Sequence, residues 1–327
     1  MDKILKIVMA VVIVCLPVYF SLAQFVPDQL VLLSSPESPS PGETVTIQAN
    51  TPTLDKNQLF FDWVVDGKRR ADFSDLGKNS IKLTAGNVGS IIRVTVNVTG
   101  ADKEVKPASL NINVSDLALT WTAETYVPPW YKGKALPTQN SVVRVAAIPK
   151  LVIGGSAVSP ENLIYNWSLD DQENIVSGIG LQIFRFRMSD LPRSNHQIEV
   201  TVQDNRGIIH KNGRLLLGTV RPQAKIYASS PLGGIEFRSS PLFTFIKLPG
   251  LLDFIIEPFF FSASSKKQLD FRWQVTGQEI AGTPDNPHLL TIDTIGQRTS
   301  VLPVSATVDD AMEIIPSAAD SLSLIFQ

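Results

Sequence analysis

Three stretches of this chain alternate large apolar with polar residues and then run into a turn. Leu59-Phe-Phe-Asp-Trp63-Val-Val-Asp-Gly67 is echoed by Leu163-Ile-Tyr-Asn-Trp167-Ser-Leu-Asp-Asp171 and again by Leu269-Asp-Phe-Arg-Trp273-Gln-Val-Thr-Gly277. Period-two alternation closed by turn residues predicts a half-buried strand in each place. The tryptophans stand 104 and 106 residues apart. A second alternating, β-branched stretch keeps step with the first: Ile91–Val98, His196–Val202 and Ser300–Val308. Each meets a polar turn (Thr99–Asp102, Gln203–Gly207, Asp309-Asp310) and then a further apolar run at Leu110–Val114, Leu215–Val220 or Leu322–Phe326. Strand, polar turn and strand predict a closing hairpin in every repeat. Two landmarks in register over three copies define an internal repeat.

A period near 100 residues is too long for a solenoid unit, which runs about 20–50 residues. It is the size of a complete β-sandwich domain. No amphipathic helical window of useful length follows residue 24, so short antiparallel strands are expected throughout. The 327 residues hold 22 prolines and 20 glycines, spread as many short strands and turns require.

With the tryptophan strand and the late hairpin in place, each repeat resembles an immunoglobulin-like domain. The nearer match is to the PKD-type and bacterial Ig-like modules of surface proteins, where an aromatic-X-Trp strand leads into an Asp/Gly turn. Phe61-Asp62-Trp63 with Asp66-Gly67 fits that pattern, as does Tyr165-Asn166-Trp167 with Asp170-Asp171. Phe271-Arg272-Trp273 with Thr276-Gly277 has lost the turn acid. The resemblance implies an all-β chain of three tandem immunoglobulin-like antiparallel β-sandwiches, at 28–115, 116–220 and 221–327, in an extracytoplasmic setting. It carries over no catalytic residue, so a non-enzymatic protein is expected. The paired cysteines of antibody domains are missing, so Trp63, Trp167 and Trp273 are expected to be structural core against apolar side chains. Leu119-Thr-Trp121, followed by Tyr126–Pro137, is similar to a segment of uncharacterised bacterial envelope proteins associated with type IV pilus loci.

Composition narrows the class. Apolar residues make up 44% and charged ones 18%, the balance of a folding chain. The net charge of −2, without a basic block, argues against nucleic acid as a partner. Lys3 and Lys6 precede an apolar run from Ile7 to Ala23, with small residues Ser21 and Ala23 placed for cleavage before Gln24. This is the layout of a signal peptide over residues 1–23. Its alternative is an uncleaved membrane anchor through residues 4–23. The single cysteine, Cys15, lies inside that run, so the remainder has no disulfide, thiolate metal site or cysteine nucleophile.

Several residues are candidates for contact or chemistry. Tyr126, Trp130 and Tyr131 sit among prolines between two repeats and suit a protein or surface-glycan partner; packing of a linker against the next domain is the other reading. Acidic turn residues recur at Asp170 and Asp171, Asp204, and Asp309 and Asp310. They could hold calcium between domains, although Asp is an ordinary turn residue and no calcium-loop spacing is present. The apolar stretch Leu248–Ala263 is expected to form two core strands joined by a turn, or a self-association surface through residues 248–261. His196, His210 and His288 are scattered, and no cofactor or metal motif is found. The resulting expectation is an exported envelope or surface protein for binding or scaffolding.

Overall fold

The computed structural model describes residues 30–326 apart from 52–54, 102, 154, 231, 239, 247–249, 298 and 311–316. The expected signal or anchor at 1–23 lies outside the described residues. Among those described, no helix is long and apolar enough to cross a membrane. Among the described residues the elements are β-strands and three short 3-10 turns.

The strands fall into three successive pairs of facing sheets. The first contains β1 (Val31–Ser35), β2 (Thr44–Asn50), β3 (Phe60–Val65), β4 (Lys68–Arg69), β5 (Asp75–Leu76), β6 (Ser80–Thr84), β7 (Ile91–Thr99) and β8 (Val105–Asn113). One sheet runs β1-β2-β6, and the other runs β4-β3-β7-β8 with β5 on β3. The second contains β9 (Asp116–Ala123), β10 (Val142–Lys150), the small hairpin β11 (Val152–Ile153) and β12 (Ser156–Ala157), β13 (Ile164–Leu169), β14 (Gln172–Ile179), β15 (Ile183–Arg187), β16 (Asn195–Gln203) and β17 (His210–Gly218). Its sheets run β9-β10-β15 and β14-β13-β16-β17. The third contains β18 (Gln223–Ser230), β19 (Gly234–Ile235), β20 (Phe243–Ile246), β21 (Leu251–Phe259), β22 (Leu269–Val275), β23 (Gln278–Ile280), β24 (Leu289–Asp293), β25 (Val301–Asp310) and β26 (Ser317–Phe326). Its sheets run β19-β18-β21-β24 and β20-β26-β25-β22-β23.

Each pair is wound alike. The chain starts in one sheet (β1 and β2), crosses to the other (β3 and β4), returns for one strand (β6) and crosses again for the closing hairpin (β7 and β8). The same order recurs through β9, β10, β13, β14, β15, β16 and β17, and through β18, β21, β22, β23, β24, β25 and β26. This interleaving of two antiparallel sheets is the immunoglobulin-like sandwich. The fold class therefore follows from strand order.

Alternation explains the cores. In β3, Phe61, Trp63 and Val65 point inward, while β7 turns in Ile92, Val94, Val96 and Val98. Trp63 stands opposite Val96, Trp167 opposite Val200 and Trp273 opposite Ala306, the same 33-residue step each time. All three indoles are 0% exposed. Each Nε1–H donates to a main-chain oxygen 14 or 15 residues ahead: Lys78 (2.9 Å), Leu181 (2.8 Å) and Pro287 (3.0 Å). A buried indole needs such an acceptor, because an unmet donor costs about 1–3 kcal/mol. A 3-10 turn precedes every tryptophan strand, at Lys56–Gln58, Pro160–Asn162 and Lys266–Gln268, and delivers Leu59, Leu163 and Leu269 into the core.

The third sandwich departs from the others. Its leading segment splits, with β18 in one sheet and β20 in the other, parallel to β26. The segment 248–263, expected as two strands joined by a turn, holds one long strand, β21, paired to β18 and β24, and then bends at Phe260 into a bridge between Phe261 and Tyr126. Pro258 is tolerated there for a geometric reason. The N–H of Ile256 points away from β18, to the His288 oxygen. Two residues on, Pro258 faces the same way, beyond the last pairing with β24 at Ile255, so its missing N–H interrupts no ladder. The self-association surface expected from 248–261 is corrected as well. Phe254, Ile255, Ile256, Phe259, Phe260 and Phe261 are buried in this chain's own cores, and Leu251 is left outside at 70% exposure.

Candidate functional site at the joints

Between β9 and β10 the chain leaves the second sandwich and lies against the third. Tyr126 donates its N–H to the Phe261 oxygen and accepts from the Phe260 N–H, both at 2.7 Å. That two-bond bridge is aided by Phe260, which sits in the left-handed region at φ 64°. Trp130 stacks on Phe237 with centroids 4.0 Å apart and meets Tyr227 and Phe259 at near-perpendicular angles. Tyr131 packs edge to face on Phe259 and Phe260. Val127, Leu136 and Val220 complete the seam. Each aromatic pair adds about 0.5–1.5 kcal/mol beyond its area burial. The three aromatics expected at a partner surface are half-buried against their own chain. One face of the Trp130 ring is taken by Phe237.

A buried ion pair lies beneath this seam. Glu257, 3% exposed, accepts from Lys266 Nζ at 2.6 Å, while its Oε2 has no hydrogen-bond partner among the described residues. Burial raises its carboxyl above the ordinary glutamate range, and Lys266 pulls the other way. The Tyr126 hydroxyl is pushed up to about 12, by burial first and then by the charge of Glu257. His288 is lowered by burial and by Lys266.

The joint between the first and second sandwiches is of another kind. Lys211 Nζ donates to the Ser38 oxygen at 2.6 Å and lies 3.9 Å from Glu43. His210 Nε2 is 3.3 Å from Glu37 Oε2. A cleft of about 510 Å³ opens between Leu33, Glu37, Gln48 and Asn111 on one side and Ile208 and His210 on the other.

Asp170, Asp204 and Asp309 among the acidic turn residues are engaged within the chain. Asp170 accepts from the Gln197 N–H at 2.9 Å and pairs with His196 at 2.8 Å. Asp204, 3% exposed, accepts the N–H groups of Arg206 and Ile209, which hold it below the ordinary aspartate range against the opposing effect of burial. Asp309 pairs with Arg272. Sequence reasoning missed one rule that links these turns. Asp66 Oδ1 takes the N–H of Arg93, and Asp170 Oδ1 takes that of Gln197, each 27 residues on. At the third turn the matching residue is Pro303, whose oxygen accepts from the Thr276 N–H but which has no N–H to give. The lost acid and the proline are one change, visible in the sequence as a shared spacing.

No protein-family model matches the sequence, and no curated protein is similar to it. Solved structures with tandem β-sandwich architecture do align over much of its length. The three N-terminal domains of the bacteriophage RB49 outer capsid protein Hoc share 11% identity at a TM-score of 0.26, covering 91% of this chain and 98% of that one. Fibronectin(III)-like modules of Clostridium thermocellum CbhA share 13% at 0.29, covering 58% and 94%. A Bacteroides ovatus glucan-utilisation protein, SGBP-B, solved with a mixed-linkage heptasaccharide, shares 10% at 0.22, covering 94% and 69%. At these values the likeness carries no argument about partner or activity.

Proposed function

We propose that this chain is an exported, non-catalytic scaffold of the cell envelope or surface, built from three immunoglobulin-like domains at 28–115, 116–220 and 221–327. Its second and third domains act as one stiff arm, and recognition of a protein or glycan partner uses loops and strand edges. The observation that carries this reading is the aromatic seam, which ties the linker 124–141 to the third sandwich through Trp130, Tyr131 and the Tyr126–Phe261 bridge. A seam of that kind suits a protein that holds surfaces at a fixed spacing. The pattern over 119–137 supports a pilus or secretion machine as the assembly served. Adding protease to intact cells that produce the full chain tests the reading, together with sequencing of the N-terminus. Digestion from outside with a start at Gln24 fits a released or surface form, and an intact Met1 in the membrane fraction fits an anchored form. Complete protection in intact cells and in cells with a permeabilised outer layer sinks the proposal.

A further inference from the structure

Beside the aromatic seam lies a cleft of about 250 Å³ lined by Gln139, Pro192, Arg193, Thr219, Val220 and Arg221. The geometry points to a binding site for a tetrahedral oxyanion, phosphate or sulfate, held between Arg193 and Arg221. Three independent features converge. Both guanidinium-bearing residues line the cleft, and among the described residues neither is in an ion pair. Arginine presents several N–H donors in a planar fork, the geometry that matches phosphate and sulfate oxygens.

The second feature is a pair of orphaned hydroxyls. Thr219 Oγ1 and Ser194 Oγ are buried with no hydrogen-bond partner among the described residues. They are neighbours, since the Thr219 N–H donates to the Ser194 oxygen at 3.0 Å. An unmet buried hydroxyl is costly and calls for an explanation. The third is backbone strain: Arg193 sits at φ 58°, a left-handed conformation that side chains other than glycine and asparagine adopt reluctantly. The loop is held there by its neighbours, with Gln139 Nε2 donating to the Asp190 oxygen at 2.5 Å and the Val220 N–H donating to the Pro137 oxygen at 2.8 Å. Two cations thus line one cleft on a rigid frame, with the unmet Thr219 hydroxyl buried in its wall. The two arginines come from different segments, the loop before β16 and the link between β17 and β18. A bound oxyanion would clasp those segments together at the second joint.

The test is isothermal titration of the full chain at low salt with sodium phosphate, sodium sulfate and sodium acetate in turn, repeated on R193A/R221A and on T219V. Binding of phosphate or sulfate at least tenfold tighter than acetate, lost in R193A/R221A, is the expected result. A tighter phosphate assigns the site to phosphate groups, and a tighter sulfate to sulfate groups. T219V is expected to raise the thermal midpoint of the free protein, because it removes the orphaned hydroxyl, and to keep the oxyanion affinity that R193A/R221A loses. Both arginines are exposed, so R193A/R221A should melt as the parent does, and its midpoint checks this. Equal heats for all three anions, or phosphate and sulfate affinity unchanged in R193A/R221A, overturns the assignment.

Discussion

The two joints of this molecule are made from different materials. The first is polar: a lysine on a carbonyl, a histidine beside a glutamate and an open cleft. The second is apolar, with Trp130, Tyr131, Tyr227, Phe237, Phe259 and Phe260 in one network over a buried ion pair. A charge pair with one open end, such as Lys211 with the 44% exposed Glu43, is partly screened by salt, whereas buried aromatic area is not. The first joint should therefore answer to ionic strength and the second should not. One chain holds a tunable connection and a fixed one in series.

The sharpest way to break that contrast is Trp130→Ala. Removing the half-buried indole should cost about 3 kcal/mol and give the third sandwich its own, earlier melting transition in calorimetry. A single unchanged transition would mean that the seam does not couple the sandwiches. Next comes Lys266→Ala, which strands Glu257 in the interior and should cost about 2 kcal/mol at neutral pH, less than for a fully enclosed pair because Lys266 itself reaches the surface.

The pH dependence of that loss carries its own sign. The folded-state pKa of Glu257 is raised, so its contribution is largest on the acid side and is lost as pH rises out of the ordinary glutamate range. Glu257→Gln should flatten that part of the stability profile in chemical denaturation. If Lys266→Ala is as harmful at pH 4 as at pH 7, the carboxylate is not its cause.

At the first joint, Lys211→Ala should cost about 1 kcal/mol, with an effect that shrinks in molar salt. A salt-independent loss would erase the difference between the joints. The smallest change is a gain. Thr276 holds φ 53° in a two-residue turn, a poor place for a β-branched side chain, and Thr276→Asn should stabilise the third sandwich by about 0.5 kcal/mol. An unchanged denaturation midpoint would show that the Thr276 Oγ1 bond to the Val275 oxygen already offsets the strain.

Much of the fold was legible before any coordinates. Period two set the inward faces of β3, β13 and β22, and the same spacing recurred at β7, β16 and β25, because alternation is a local consequence of strand geometry. The extra crossing of β20 was not legible. A four-residue Phe-Thr-Phe-Ile strand carries no mark of which sheet it joins. The length of β21 was not legible either, because only the neighbouring strand shows that the missing N–H of Pro258 falls beyond the ladder. The candidate site was half visible. Tyr126, Trp130 and Tyr131 stood out as aromatics among prolines, but their partners Phe237 and Phe259 lie more than a hundred residues away.

Local chain chemistry set the repeat, the strand periodicity, the three core tryptophans and the turns that close their hairpins, since each depends on residues near one another in the chain. Tertiary structure alone decided which surfaces those aromatics cover, that Glu257 is buried beside the half-open Lys266, and that Arg193 and Arg221 share a cleft. Those outcomes depend on how sandwiches dock and how loops from distant positions meet, and no periodicity along a single chain records that.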